Sequence, residues 1–113
     1  MITLYGIKNC DTVKAACRWL SAHHLAYVMH DFRQDGLERA QLDAWLQQLD
    51  WDTLLNRRST TWRQLPAQAK LNLDTARAVQ LMLAQPTLIK RPVLTYADNV
   101  MVGFSEKTYA QLL

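Results

Sequence analysis

The predicted order of strands and helices restricts the folds open to this chain more than any other feature of its sequence. Residues 2–7 mix β-branched, aromatic and aliphatic side chains, which predicts a short buried strand. Between residues 12 and 23, apolar side chains recur at helical spacing and predict a helix with one apolar face. These side chains are Val13, Ala16, Cys17 and Leu20. Residues 25–32 predict a second strand, and so short a strand–helix–strand unit implies parallel pairing with a right-handed crossover.

The middle of the chain is predicted to be helical and the end to contain a hairpin. Helices are predicted over residues 37–49 and 75–84, a short turn or helix over residues 51–55, and another short piece over residues 62–65. The helix over residues 75–84 is predicted to have an apolar stripe formed by Leu73, Ala76, Val79 and Leu83. Residues 93–96 and 100–102 then predict an antiparallel hairpin. Residues 105–112 predict a final helix that Ser105 caps.

Two parallel strands around a helix, followed by helices and then a hairpin with a helix, is the thioredoxin-like arrangement. We therefore expect an α/β, thioredoxin-like fold in which the order β-α-β then β-β-α builds a mixed sheet. A helical insertion, at about residues 37–88, would separate the two halves. The chain has 113 residues, the usual size of one domain, so we expect a single domain over residues 1–113. A chain of this length can bury a hydrophobic core without the support of a metal ion or disulfide bonds.

Composition and cysteine content exclude several classes of protein. Half of the residues are apolar, but no apolar run approaches the roughly 20 residues that span a bilayer, so no membrane association is expected. The first residues lack the basic and apolar regions of a secretion signal. Two cysteines cannot build a disulfide scaffold, which favours the reducing cytoplasm. We expect a monomer.

Positive charge is concentrated in the second half of the chain. Residues 1–57 contain six basic and seven acidic residues, whereas residues 58–113 contain seven basic and three acidic residues. The basic residues are scattered and form no block of the kind that binds nucleic acid, so no nucleic-acid partner is expected. This distribution favours a local site for an anion.

Cys10 is the first candidate for chemistry, because it lies where the first strand gives way to the first helix. Unpaired backbone N–H groups and the positive end of the helix dipole stabilise a thiolate there, and Lys8 adds a nearby cation. Asn9 or Asp11 is expected to cap the helix. The alternative is a buried structural thiol, since free cysteines are among the most buried residues.

Cys17 is predicted to be a core residue, because it shares the apolar face of the first helix. Seven residues of helix separate it from Cys10 by about 10 Å, and the Cα atoms of a disulfide lie within about 7 Å. Val13 also occupies the position of the second cysteine of a C-x-x-C pair. Redox chemistry at Cys10 should therefore use an external thiol such as glutathione.

Two groups of arginines are candidates for binding an anion. Arg91 precedes Pro92 at the start of the third strand, in a loop that a thioredoxin-like fold places against the start of the first helix. An arginine there could bind a carboxylate through two parallel hydrogen bonds. The peptide bond before a proline can also be cis at low energetic cost. The alternatives are a solvated charge and an ordinary trans proline. Residues 57–63 hold three arginines and three hydroxyls, which indicate either an anion pocket or a solvated loop.

No set of histidine, cysteine or acidic residues has the spacing of metal ligands, so we expect no metal and no tightly bound cofactor.

Four segments, residues 5–12, 57–65, 88–94 and 102–104, resemble those of the arsenate-reductase-like (ArsC/Spx) family, and most of all its YffB branch. They read Tyr-Gly-Ile-Lys-Asn-Cys-Asp-Thr, Arg-Arg-Ser-Thr-Thr-Trp-Arg-Gln-Leu, Leu-Ile-Lys-Arg-Pro-Val-Leu and Val-Gly-Phe. The resemblance covers essentially the whole chain. It implies that Cys10 is the reactive cysteine and that Arg91, before a cis Pro92, faces it. It also implies one further arginine, for which Arg57 and Arg58 compete.

The function that the resemblance implies is that of a glutathione-dependent thiol or disulfide reductase, with glutathione or another small thiol as co-substrate. Glutaredoxin is a further candidate partner. Two alternatives stay open: a regulatory module that binds RNA polymerase, as Spx does, and a true arsenate reductase. The C-x-x-C switch found in many Spx proteins is absent here because residue 13 is Val13, and the arginine that arsenate reductases carry after the hairpin is absent from residues 103–106.

Overall fold

The structure is a computed structural model that describes residues 1–113 and divides them into two compact units. The first unit, called here the sheet unit, comprises Met1–Gly36 and Arg91–Leu113. The second, called the helical unit, comprises Leu37–Lys90. None of the helices combines the length and the apolar character that crossing a lipid bilayer requires.

The sheet unit is built on four strands: β1 (Ile2–Gly6), β2 (Tyr27–Asp31), β3 (Val93–Tyr96) and β4 (Asn99–Val102). Their order in the sheet is β2-β1-β3-β4. Strand β1 is parallel to β2, with Ile2 opposite Tyr27, and antiparallel to β3, with Leu4 opposite Leu94. Strands β3 and β4 form the antiparallel hairpin. The predicted combination of one parallel pair and one hairpin is therefore confirmed.

Helix α1 (Asp11–Ala22) connects the two parallel strands and supplies one side of the core. The short helix α2 (Phe32–Asp35) follows β2 directly. The core of the sheet unit consists of buried apolar side chains from β1, α1, β3 and the chain end: Ile2, Leu4, Val13, Ala16, Trp19, Leu20, Leu94 and Tyr109. Burying aliphatic and aromatic side chains stabilises a fold by roughly 1.5–3 kcal/mol each, and this core fixes α1 against the sheet.

The helical unit contains four helices: α3 (Arg39–Leu46), α4 (Trp51–Leu54), α5 (Thr60–Gln64) and α6 (Thr75–Ala84). Short 3₁₀ turns occupy Ala67–Lys70 and Pro86–Leu88. Its buried apolar residues include Leu42, Trp45, Leu54, Leu55, Val79, Met82, Leu88 and Ile89. An antiparallel bridge between Leu55 and Ile89 joins the residue after α4 to the end of the unit.

The last helix, α7 (Glu106–Tyr109), begins at the predicted cap and ends in a 3₁₀ turn over Ala110–Leu112. The Ser105 hydroxyl accepts a hydrogen bond from the Thr108 backbone N–H at 3.1 Å, as an N-cap residue does. With this helix the order is β-α-β, a helical insertion, then β-β-α. The fold is therefore thioredoxin-like, as predicted.

Three predictions about the helices of the helical unit were wrong. Helix α5 begins at Thr60 and not at residue 62, because Ser59 caps it. Helix α3 ends at Leu46 instead of residue 49. Helix α6 buries Ala78, Val79 and Met82, whereas Ala76 of the predicted stripe is exposed. Apolar side chains lie on several sides of α6, so their period does not decide which side is buried.

Candidate functional site

Cys10 is the N-cap residue of helix α1. Its backbone is extended, with φ −140° and ψ 124°, and its carbonyl accepts the N–H of Lys14 at 2.9 Å. The prediction that Asn9 or Asp11 caps this helix was therefore wrong, because Asp11 is already the first helical residue. The half-buried Cys10 side chain makes no capping hydrogen bond. A thiol that is not committed to capping thus stands at the positive end of a 12-residue helix.

A buried carboxylate, that of Asp31, holds the loop before Cys10. Asp31 ends strand β2 and is 4% exposed. Its carboxylate accepts the backbone N–H of Lys8 at 3.2 Å and that of Arg33 at 2.8 Å. Burial by itself raises the pKa of Asp31, but the backbone hydrogen bonds from Arg33, Lys8 and Gln34, together with the charge of Lys8, lower it below its usual value. Asp31 is therefore an ionised anchor for the loop that carries the thiol.

Lys8 lies in that same loop, two residues before the thiol. Its ammonium donates a hydrogen bond to Gln34 Oε1 at 3.1 Å, and the side chain is exposed. The positive charge of Lys8 also helps to lower the pKa of Asp31. Lys8 therefore stabilises the buried carboxylate and is not a cation that acts on Cys10 alone.

Arg91 and Pro92 lie at the start of β3, and the peptide bond between them is cis. Pro92 is buried, and its carbonyl accepts the N–H of Gly103 at 2.9 Å. A Cβ atom built on Gly6, at the end of β1, would lie 3.9 Å from the Cβ of Arg91. The structure thus brings the backbone of Arg91 beside the point where the chain leaves β1 for the Cys10 loop. The half-buried Arg91 side chain makes no hydrogen bond or ion pair.

Gly6 allows close packing at the same point. A Cβ atom there would lie 2.8 Å from Cγ2 of Val13 in the first turn of α1, which is closer than real Cβ atoms approach. A residue without a side chain is therefore required for α1 to pack against the end of β1.

The two competing arginines, Arg57 and Arg58, both belong to the helical unit and have different surroundings. The Arg57 guanidinium forms an ion pair with Asp52 and lies over the rings of Trp51 and Trp62, at 5.7 and 5.6 Å. Arg58 is exposed and donates its backbone N–H to Asn56 Oδ1 at 3.0 Å. The Arg58 guanidinium has no partner. Arg57 is thus engaged within the helical unit, and Arg58 is free to bind an anion.

Cys17 is half-buried and lies at the edge of the core, on the apolar face of α1. It packs against the core of the sheet unit and forms a hydrogen bond with Tyr27, which is the main reason that the pKa of Tyr27 is raised, followed by burial. Both cysteines are free thiols, and α1 is continuous between them. Seven helical residues separate them by about 10 Å, beyond the reach of a disulfide.

Sequence reasoning overlooked Asp31, Gln34 and Gly6. The signal for Asp31 was its place at the carboxyl end of β2. Because β1 and β2 are parallel, the residues that follow β1 meet the end of β2 at the same edge of the sheet. No three histidine, cysteine or acidic side chains lie close enough together to hold a metal ion.

Comparison with known proteins assigns the family. The ArsC family model matches residues 5–112, so the chain belongs to the ArsC family. An uncharacterised protein of Haemophilus influenzae is 49% identical over 109 residues, covering 96% of each chain. The solved structure of a YffB protein is 47% identical, with a TM-score of 0.95 and coverage of 98% of this chain and 97% of that one.

A regulator is also among the relatives. The global transcriptional regulator Spx of Streptococcus pneumoniae is 26% identical over 108 residues, covering 94% of this chain and 80% of Spx.

Proposed function

We propose that this protein is a thiol–disulfide oxidoreductase in which Cys10 attacks an oxidised sulfur and glutathione restores the free thiol. The observation that carries the proposal is the position of Cys10 at the start of α1, with a side chain that makes no capping bond. Thiolates at helix N-termini are stabilised by the dipole and by free backbone N–H groups, and the thiolate is the nucleophile. Membership of the ArsC family supports the same chemistry.

The surroundings of Cys10 suit an anionic reactant. Arg91, whose guanidinium has no partner, starts beside the end of β1, close to the loop that carries the thiol. Glutathione has two carboxylates, and an arginine binds a carboxylate through two parallel hydrogen bonds. Of the two arginines that compete for the further anion-binding role that the family resemblance implies, we favour Arg58, because Arg57 is already paired with Asp52.

The reaction consists of two thiol exchanges. The Cys10 thiolate attacks the glutathione sulfur of a mixed disulfide, the S–S bond breaks, and the substrate thiol leaves and takes up a proton. The thiolate of a second glutathione then attacks the Cys10–glutathione disulfide. It releases the Cys10 thiolate and one molecule of oxidised glutathione, so each turnover consumes one reduced glutathione, and the glutathione of the mixed disulfide leaves as the other half of the product.

An external resolving thiol follows from the positions of the cysteines. Val13 stands one turn into α1 from Cys10, where a C-x-x-C pair would have its second cysteine. Cys17 is too far along the helix and packs against the core of the sheet unit. We therefore assign the second step to glutathione, with glutaredoxin as an alternative donor.

The test is the reduction of a mixed disulfide of glutathione and cysteine, coupled to glutathione reductase and NADPH. We expect turnover by the wild type and by Cys17→Ser, and none by Cys10→Ser. The two serine variants are matched controls for each other, because each removes one of the two thiols. Turnover by Cys10→Ser, or its absence from the wild type, would contradict the proposal.

A second candidate function is that of a regulator, which the 26% identity to Spx over 94% of the chain favours. On this alternative the protein binds RNA polymerase and has no turnover. Purified polymerase on a resin, with the wild type and Cys10→Ser in solution, distinguishes the two functions. Equal binding of both proteins supports the regulator, and no binding supports the reductase.

A further inference from the structure

A cavity of about 290 Å³ opens on the flank of helix α1, within the sheet unit. Its lining residues are Lys8, Val13, Lys14, Cys17, Arg18 and Met29. Cys10 is not among them. The cavity is therefore distinct from the thiol at the start of the helix, and the proposed reductase chemistry does not use it.

The floor of the cavity is apolar. Val13 is 1% exposed and belongs to the core of the sheet unit, and the half-buried Cys17 and Met29 pack against that core. A ligand in the cavity would therefore rest on the outer surface of the hydrophobic core, where an apolar body displaces water favourably.

The rim of the cavity is positively charged. Lys14 and Arg18 lie one turn apart on α1, so their side chains share one face of the helix. Both are exposed, and neither side chain makes a hydrogen bond or an ion pair. The third cation, Lys8, is bonded to the neutral amide of Gln34, and its charge acts on the carboxylate of Asp31. Lys14 and Arg18 thus carry unneutralised charge at the mouth of the cavity.

We propose that this cavity binds an organic anion with an apolar body, such as an aromatic carboxylate or sulfonate. The apolar body of such a molecule would contact the apolar floor of the cavity, and its negative charge would pair with Lys14 and Arg18. The volume of the cavity, about 290 Å³, is at the lower end of the range for small-molecule pockets, which suits a ligand of one or two rings. A cation with the same apolar body is expected to bind more weakly, because Lys14 and Arg18 repel it.

The probes that test this are naphthalene-2-sulfonate and 2-naphthylmethylammonium, which share an apolar body and carry opposite charges. The protein contains four methionines, and among them Met29 lines the cavity. With ¹³C-labelled methionine methyl groups, the ring current of a bound naphthalene shifts the Met29 signal, which Met29→Leu assigns. We expect the sulfonate to shift it saturably, the ammonium to leave it unchanged, and the signal of buried Met82 to stay in place.

Variants separate charge recognition from the reductase proposal. Lys14→Gln with Arg18→Gln is expected to weaken sulfonate binding at least tenfold. The matched control, Arg39→Gln with Lys107→Gln, removes two positive charges elsewhere and is expected to bind as the wild type does. Cys10→Ser is also expected to bind normally, so failure of the reductase proposal would leave this one standing.

Three outcomes would overturn the proposal. The first is that both naphthalene probes shift the Met29 signal equally. The second is that the double variant of Lys14 and Arg18 binds the sulfonate with wild-type affinity while the Met82 signal does not move. The third is a shift of all four methionine signals together, which would indicate association with the whole surface.

Discussion

At the scale of single residues, Asp31 shows how one buried carboxylate orders a reactive loop. It accepts backbone N–H groups from residue 8, across 23 residues of sequence, and from Arg33. A hydrogen bond to a charged acceptor contributes roughly 1.5–3 kcal/mol. The loop that ends in Cys10 is therefore held by a side chain of another strand and not by its own residues.

Replacement of Asp31 with asparagine should destabilise the protein at neutral pH by about 1–3 kcal/mol, because the amide brings no charge and only one acceptor oxygen. The folded pKa of Asp31 is lowered, so its stabilisation is complete above the unfolded pKa of about 3.9 and is lost as pH falls through the folded value. Urea unfolding at pH 7 and at acid pH measures both effects. Asp43→Asn, at an exposed site, is the control. An equal deficit at both pH values would contradict this account.

The two arginines of the helical unit should respond differently to alanine substitution. Arg57→Ala removes an exposed ion pair and two cation–π contacts, which is expected to lower the free energy of unfolding by about 1 kcal/mol. Arg58→Ala should change stability by less than about 0.5 kcal/mol. In the disulfide reduction assay we expect Arg58→Ala, and not Arg57→Ala, to raise KM for glutathione. The reverse pattern in either measurement would show that the assignment of the two arginines is wrong.

At the scale of elements, the packing of β1 against α1 depends on Gly6. An alanine at this position would place its Cβ 2.8 Å from Val13, and overpacking of this kind costs about 1–3 kcal/mol. Val13→Ala alone also destabilises, because it leaves a cavity. In the double variant the smaller residue makes room for the new methyl group, so the combined loss should be less than the sum of the two. Unfolding free energies of the four proteins measure this, and simple additivity would contradict it.

The elements themselves were largely predictable from the sequence, because their patterns are local. The apolar face of α1 was correct at Val13, Ala16 and Leu20, and the hairpin followed from two short apolar runs around a turn. The buried side of α6 was not predictable, since its apolar residues lie on several sides and tertiary contacts select among them. In a helix such as α6, the spacing of apolar residues predicts the helix but not which of its sides is buried.

The candidate site was less predictable than the elements. Cys10 stood out because a strand and a helix meet there, yet the cap was assigned to its neighbours, since cysteine is not among the preferred N-cap residues. The role of Asp31 arises from parallel strand pairing, which brings together residues far apart in the sequence. The contrast between Arg57 and Arg58 depends on the rings of Trp51 and Trp62, which no spacing rule places.

At the scale of the whole molecule, the ArsC fold of this chain has an aromatic pair after the hairpin. The segment after the hairpin, where the resemblance leads us to expect a further arginine in those enzymes, holds Phe104, which packs edge-on against Tyr109 at 4.8 Å between ring centres. The Phe104 ring has no hydrogen-bond donor and the Tyr109 hydroxyl is fully buried, so this pair presents no donor to an arsenate oxyanion, whose stabilisation depends on fixed donors around it.

We therefore expect no reduction of arsenate in an assay with glutathione, glutaredoxin and glutathione reductase. The same protein preparation should reduce the mixed disulfide of glutathione and cysteine, which is the control for an active sample. Arsenate turnover that disappears in Cys10→Ser would contradict this expectation, and would mean that another cation, such as Arg63, Lys90 or Lys107, replaces the absent arginine.

The identity of the reactive thiol is tested most directly by mass spectrometry of the folded protein after brief treatment with oxidised glutathione. Trypsin cleaves after Lys14 and Arg18, so Cys10 and Cys17 fall on different peptides. We predict one glutathione on the Cys10 peptide, removable by reduced glutathione, and an unmodified Cys17 peptide. Modification of Cys17 with Cys10 left free, or a disulfide joining the two peptides, would contradict the account.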